Sequence, residues 1–407
     1  MTFHSLSCRY AIVAALCCLS SIARSSDESP LTRWATFRVE GGASYYALSF
    51  QAAAQPKRAE PRVAILVDTS ASQTGVIRKE SFAILDSLIE SLPDNAKISL
   101  LACDVSTVDL SGGLQVRKSS AIEHAREGLK QRVPLGTTNL AMALEKAQNS
   151  FGEKQDGVIV YIGDGVNRSN ILDAGKFESM VNQLVGKRTS LISLAIGPFY
   201  DSALLASLAN HTGGMIFIRD NITATPQEIG LNLARAAASP VIWPETAQLP
   251  EAMSSQYPKR FPPVRIDRDS IIIGELKDAP SDGKLAIHGS MDGKPKDMEW
   301  KVKAEASNPD FAFLELVLND VKKNGGLTMP TPGSEALREM GLILSNSASD
   351  LVRSGRMALQ TGDFKAAAEI AKEALRRDPG NAEAASLRDA ARQRLEKPAA
   401  APVKSKL

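Results

Sequence analysis

The sequence predicts an α/β protein built on a doubly wound, mostly parallel sheet, joined to a small β module and a C-terminal α-helical hairpin. Three observations lead there. Between Arg62 and Pro240, short apolar runs alternate with longer amphipathic stretches. Most of those runs are apolar on both faces, as strands covered by helices on either side must be. Beyond Pro240 the pattern shortens to the period of half-buried antiparallel strands, and beyond Phe311 the chain turns helical.

The central strands read as RVAILVD, AKISLLACD, GVIVYIGDG, TSLISLAIG and GMIFIRD, with VDLSGGLQVRK as a weaker edge strand. Between and after them lie the helical stretches VIRKESFAILDSLIESL, SSAIEHAREGLKQR, LAMALEKAQNSF, LDAGKFESMVNQLVG, SALLASLANH and TPQEIGLNLARAAA. Such alternation sets a parallel sheet between helical layers. Ligands on such a sheet sit at the carboxyl ends of the strands. Asp68 and Asp164 both close apolar strands, so both belong to that edge.

Upstream, WATFRVEGGASYYALSFQAA is expected to form one or two strands, and QPKRAEP a linker. Downstream, WPETAQLPEAMSSQYPKRFPP is punctuated by proline. VRIDRDSIIIGEL, KLAIHGSM and DMEWKVKAE then read as a β module, with DGKP as a turn. Met298, Trp300 and Val302 alternate there with Glu299, Lys301 and Lys303. Further on, Gly355, Gly362, Phe364, Ala367, Ala374 and Pro379 occupy the small, aromatic and terminating positions of a tetratricopeptide-like hairpin. A plain capping hairpin is the alternative, because a single unit lacks the neighbours with which repeats bury their faces. The expected division is a signal peptide over 1–23, a strand segment and linker over 24–61 and the α/β domain over 62–240. The β module follows over 241–305, a helical region with the hairpin over 306–396, and a disordered tail over 397–407.

The chain has 407 residues, 43% of them hydrophobic, enough for one large core and smaller modules. Its 48 Lys and Arg against 46 Asp and Glu leave a formal charge of +2. That balance argues against nucleic-acid binding, which needs a concentrated basic face. At the N-terminus Arg9 precedes an apolar run from Ala11 to Ala23 that closes on the small-x-small signal Ser21-Ile22-Ala23. This is the pattern of a secretory leader, too short to span a bilayer comfortably. A helix packed on the core is the alternative. A lipid anchor at Cys17 or Cys18 fits its flanking residues poorly. The expected location is therefore outside the cytoplasm, periplasmic or extracellular, with no integral membrane span in the processed chain. Cys8, Cys17 and Cys18 would leave with the leader, so Cys103 alone remains and no internal disulfide can form. Cys103 reads as a small core residue.

The chemistry concentrates on three loops. Asp68-x-Ser70-x-Ser72 offers a carboxylate and two hydroxyls, LGTTNLAMAL places Thr138 just before a helix, and YIGDG places Asp164 at a strand end. Five oxygen donors on one sheet edge suit a hard cation such as Mg²⁺. Two carboxylates match its double charge, and a free coordination position would accept an acidic side chain. The plain alternative is that Asp and Ser serve here as helix caps and turn residues.

These residues resemble the metal-ion-dependent adhesion site of a von Willebrand factor A domain, with its DxSxS motif, a threonine after glycine and an aspartate in a DG turn. The stretch SLAIGPFYDSALLASLANHTGGMIFI resembles that domain's closing section. The resemblance covers Arg62 to Pro240 and implies a Rossmann-like sheet. It also implies Mg²⁺, or Mn²⁺ or Ca²⁺, held by Asp68, Ser70, Ser72, Thr138 and Asp164. The hydroxyls would touch the ion, the aspartates would act mostly through water, and a protein partner's Asp or Glu would complete the shell. Ala71 replaces a common glycine and IGDG the more usual TDG, and neither change removes a donor.

No nucleophile elbow, zinc-protease helix or phosphate loop occurs in the sequence. His124 reads as a solvated helix residue, His211 as a turn residue and His288 as exposed on the β module. Asn210 and Asn221 begin glycosylation sequons. The expectation is an exported, non-enzymatic binding protein that captures an acidic group of a protein partner. The alternatives are an envelope scaffold acting through the C-terminal helices and, for lack of any visible general base less favoured, a metal-assisted hydrolase.

Overall fold

A computed structural model describes residues 31–396 apart from 40, 57, 59, 154–155, 167–173 and 220–222. The expected leader over 1–23, its three cysteines, the start of the Asn221 sequon and the expected disordered tail over 397–407 lie outside the described residues. The chain opens on a hairpin of β1 (Leu31–Arg38) and β2 (Ser44–Gln51). The α/β section follows with β3 (Arg62–Asp68), α1 (Gly75–Ser91), β4 (Lys97–Cys103), β5 (Thr107–Asp109), β6 (Gln115–Val116), α2 (Ser120–Gln131) and α3 (Leu140–Asn149). It continues through β7 (Val158–Gly163), α4 (Ala174–Gly186), β8 (Ser190–Ala195), α5 (Ser202–Thr212), β9 (Met215–Ile218) and α6 (Pro226–Ala238).

The sheet runs in the order β5-β4-β3-β7-β8-β9, with β6 also paired to β4. From β4 to β9 it is parallel, and only β5 and β6 oppose β4. Val63, Ile65 and Val67 of β3 point into the layer made with α1, α2 and α6, whereas Ala64 and Leu66 point into the layer made with α3, α4 and α5. The sheet is thus doubly wound, and β3 is apolar along its length because both its faces are covered. The weak edge strand divides in two around Asp109. That carboxylate accepts backbone N–H bonds from Ser111 at 3.0 Å, Gly112 at 3.1 Å and Gly113 at 2.7 Å, which folds the segment into a turn.

The remaining strands are β10 (Val241–Gln248), β11 (Val264–Arg265), β12 (Ser270–Leu276), β13 (Gly283–Met291) and β14 (Lys294–Val302). Two antiparallel sheets, β1-β2-β12 and β11-β10-β13-β14, face each other across Trp34, Leu48, Phe50, Ile272, Ile287 and Trp300. The N-terminal hairpin, which the sequence sets apart from the β module, is therefore part of it: β2 pairs with β12 from Ser44 to Phe50. Within the proline-punctuated stretch, β10 is a strand whose pairing with β13 shifts between Pro244 and Thr246, a bulge that tolerates the missing N–H.

The outer face of the β1-β2-β12 sheet packs against α7 (Leu314–Val321) and the start of α8 (Ser334–Gln360) through Tyr45, Ala47, Ile271, Leu314, Leu318 and Leu337. The distal half of α8 packs instead with α9 (Phe364–Arg377) and α10 (Ala382–Glu396) around Ala348, Val352, Ala371, Ala374 and Leu387. The C-terminal part is thus three helices rather than two. Gly355 abuts Leu387 and Ile370, where a Cβ would lie 2.5 Å and 3.2 Å from their side chains. Among the described residues no helix is long and apolar enough to cross a membrane.

Two arginines join the α/β section to the β module. Arg265, 1% exposed, donates to the carbonyls of Gly213 (3.0 Å) and Ala236 (2.8 Å) and forks onto Asp267. Arg268 donates to Gly214 O at 2.8 Å, and its Nη1 reaches Pro332 O. The segment before α8 thus straps onto the end of α5, where Asn210 Nδ2 also donates to Met329 O at 3.2 Å. Asn210 is fully buried, so its sequon is closed to glycosylation in the folded protein. His211 is not a turn residue. It lies in the last turn of α5, and its Nε2 donates to Leu327 O at 2.7 Å.

Burial holds His211 below its ordinary value of 6.5, and the nearby Arg260 adds to this. Its Nδ1 is buried without a partner, so protonation there would strand a second N–H. A folded-state value below the unfolded one means that stability is present above pH ~6.5 and lost as the pH falls through the folded value. Denaturant titrations at pH 7 and pH 5 are expected to show a larger loss for the native chain than for His211→Gln. Equal losses would remove His211 as the cause.

Candidate metal centre

β3 lies between β4 and β7, so Asp68 ends near the middle of the sheet's carboxyl edge. The chain turns at once, because Asp68 Oδ1 accepts the Ser70 N–H at 2.8 Å. This turn brings the Ser70 and Ser72 hydroxyls within 3.0 Å of each other. Ser72 Oγ then donates to Asp164 Oδ2 at 2.6 Å, and Thr138 Oγ1 donates to Asp68 Oδ2 at 2.8 Å. All five donor residues named from the sequence therefore stand in one connected cluster, Thr138–Asp68–Ser70–Ser72–Asp164.

Neighbouring loops fix this cluster. Leu135 N donates to Thr69 O and Ala71 N to Gly136 O, both at 3.1 Å, which lays the Thr138 loop against the Ser70 loop. Asn139 caps α3 by accepting from Met142 N, so Thr138 is held immediately before a helix start. Asp164 is anchored at Oδ1 by the Val166 N–H at 2.8 Å, and its backbone oxygen accepts from Asp201 N at 2.9 Å. Gln73 Nε2 reaches Ile196 O at 3.1 Å and ties the first loop to the end of β8.

The sequence reading missed two supporting groups. Tyr161 is buried in β7, opposite Leu66 of β3, and its hydroxyl donates to Asp68 Oδ2 at 2.9 Å while accepting from Gly165 N at 3.0 Å. Gly163 leaves room for this contact, because a Cβ there would lie 2.5 Å from both Asp68 Cβ and the Tyr161 hydroxyl. Gly165, at φ +69°, makes the turn that aims its N–H back at that hydroxyl. A polar-tipped tyrosine in an otherwise aliphatic strand was the available signal. The second group is Asp104, which accepts from Thr69 Oγ1 at 2.9 Å and pairs with Arg132 at 2.6 Å.

The two kinds of carboxylate differ in charge balance. Burial pushes Asp68 up to about 6, and repulsion from Asp164 adds to this against the hydrogen bonds from Ser70 and Thr138. For Asp104 burial also raises the value, but Arg132, Ser106 and Thr69 outweigh it and hold the carboxyl below the ordinary range. Among the described residues, no Lys or Arg pairs with Asp68 or Asp164, although they are 3% and 4% exposed. Two buried carboxylates and three hydroxyls, with no protein cation among the described residues, form a donor set that fits a small hard divalent ion. The described residues contain no group of three or more His, Cys, Asp or Glu that could hold a metal, so any ion here must rely on hydroxyls as well. His124 is exposed on α2 and His288 pairs with Asp297 on the β module. Cys103 is buried, and burial raises its thiol well above the ordinary value.

Residues 61–218 match the family model described as the von Willebrand factor type A domain. Among solved structures, the chain is similar to a von Willebrand factor type A protein from Catenulispora acidiphila, at 13% identity and a TM-score of 0.48 over 90% of each chain. It is also similar to the ArnB paralog VWA2 from Sulfolobus acidocaldarius, at 14% identity and a TM-score of 0.45 over 90% of this chain and 97% of that one. An aerotolerance-related membrane protein from Bacteroides fragilis shares 14% identity at a TM-score of 0.36, over 44% of this chain and 98% of its own. No curated protein matches the chain.

Proposed function

We propose, from the premise that residues 61–218 form a von Willebrand factor type A domain, that the protein is an exported, non-enzymatic binding protein. It captures an acidic group of a protein partner through a divalent cation held by Asp68, Ser70, Ser72, Thr138 and Asp164. Domains of this type typically mediate protein interactions. The observation that carries the reading is the pair of buried carboxylates, Asp68 and Asp164, which no Lys or Arg among the described residues pairs with, while three hydroxyls close around them. A bound Mg²⁺, or Mn²⁺ or Ca²⁺, would balance both charges and offer a coordination position to a partner's Asp or Glu. Export is supported by the leader pattern of residues 1–23.

The test is a thermal melt of the full chain in millimolar Mg²⁺ or Mn²⁺ against chelator, beside Asp164→Ala. An ion bound only by the folded state adds about 2.7 kcal/mol when present at a hundred times its dissociation constant. A rise in melting temperature that Asp164→Ala lacks is the expected result. A rise of equal size in both proteins, or in neither, would sink the metal part of the reading. One observation favours a second reading, a scaffold acting through the C-terminal helices. A cleft of about 820 Å³ lies between the β1-β2-β12 sheet, the turn at Pro309–Phe313, α8 and Asp378, and Leu342 is exposed on its wall. That reading gains if partner capture survives Asp164→Ala.

A further inference from the structure

Eleven large apolar side chains stand exposed among the described residues, and five of them lie on loops that border the candidate centre. These are Val76, Val105, Val133, Leu135 and Phe199, at 78%, 61%, 68%, 65% and 74% exposure. Exposed apolar residues scattered singly need no explanation, but a cluster on one edge does. The five follow one another around the donors. Val105 lies against Gly136, since a Cβ on that glycine would stand 2.4 Å from a Val105 methyl. Gly136 and Leu135 are bonded to Ala71 and Thr69 of the first donor loop, and Val133 precedes them in the same loop. On the other side, a Cβ at Gly197 would lie 3.0 Å from Asp164 Cβ and 3.4 Å from Phe199 O, so the Phe199 turn borders Asp164. The Gln73 side chain joins that turn to the start of α1, where Val76 stands exposed.

Charge settles what this surface can accept. The acidic side chains of these loops are engaged: Asp104 with Arg132, Asp201 as the cap that accepts from Leu204 N at 2.9 Å, and Asp68 and Asp164 in the centre itself. Among the described residues of these loops, no spare carboxylate opposes an incoming one. We propose that Val76, Val105, Val133, Leu135 and Phe199 form the docking surface for a protein loop whose acidic residue is flanked by bulky apolar side chains. The centre takes the carboxylate and the apolar rim takes its neighbours, so the rim supplies the selectivity that one charged contact lacks. This rests on the metal-bridged reading above.

The experiment uses the full chain and three fluorescein-labelled peptides read by anisotropy in millimolar Mg²⁺. One peptide carries a central aspartate flanked by leucine and phenylalanine, one the same aspartate flanked by serine, and one asparagine between the apolar flanks. The apolar-flanked aspartate peptide is expected to bind at least about tenfold more tightly than the other two, and to be released by chelator. Leu135→Ser and Phe199→Ser, at exposed positions that leave the melting curve in place, are expected to lower its affinity and leave the serine-flanked peptide unchanged. Equal, magnesium-dependent binding of both aspartate peptides would overturn the rim while leaving the metal-bridged reading intact. Equal binding of the asparagine peptide, or binding that persists in chelator, would overturn the metal-bridged reading and the proposal built on it. No binding of any peptide overturns the proposal, and the melt with and without metal then decides the reading beneath it. Magnesium-dependent dimerisation in sedimentation without peptide would overturn it in favour of a second copy of the chain.

Discussion

Arg265→Met is expected to destabilise the protein by about 3 kcal/mol, because it strips Asp267 of its ion-pair partner and removes one donor from each of two helix-end carbonyls. The guanidinium makes four contacts: two to Asp267, one to Gly213 O and one to Ala236 O. Gly213 closes α5 in the left-handed conformation and Ala236 lies in the last turn of α6, so both oxygens sit at the partially negative ends of helices. Burial alone would raise the Asp267 carboxyl, yet the charge and hydrogen bonds of Arg265 hold it below the ordinary range. Methionine fills a similar volume but returns none of this. Arg265→Lys, which keeps the charge without the planar fork, is expected to fall between. Urea unfolding measures the difference, and a loss under about 1 kcal/mol would mean that the pair contributes little net stability.

Asp68→Asn is expected to reverse the order of stability between two conditions. Asp68 has a folded-state value of about 6 against an ordinary 3.8. The folded chain therefore holds that proton more tightly than the unfolded chain. The sign follows: this contribution to stability is complete below pH 3.8 and is lost as the pH rises through about 6. At pH 7.5 in chelator the ionised carboxylate is a burden that asparagine lifts. One amide N–H will then face the donors that now bond Asp68, so the net gain is reduced to about 1–2 kcal/mol. In saturating Mg²⁺ the native chain gains and the variant does not. Two melts per protein read the crossing. A variant less stable than native in chelator, or one that keeps the magnesium shift, would defeat the explanation.

Both predictions concern residues of which the sequence revealed only part. Asp68, Ser70, Ser72, Thr138 and Asp164 were legible because each of their three loops carries its oxygens in a short local motif beside an apolar strand or a helix start. Tyr161 was not, because its contact with Asp68 depends on the register that sets it opposite Leu66 on the neighbouring strand. Arg265 and Arg268 read as ordinary charges in VRIDRD. Their burial is decided by α5 and α6, which end about fifty and thirty residues earlier in the chain.

The sequence by itself determined the doubly wound sheet and the edge on which its donors gather. Strands covered on both faces must be apolar throughout, helices must show one apolar stripe, and both patterns are local. Tertiary structure alone decided that the N-terminal hairpin completes a sheet with β12, that His211 and Asn210 are buried under a strap, and that five exposed apolar side chains stand on loops bordering the candidate centre. Strand pairing across some 220 residues carries no periodic signature. Whether a valine or leucine in a loop faces water or a core is fixed by what the rest of the chain brings to it.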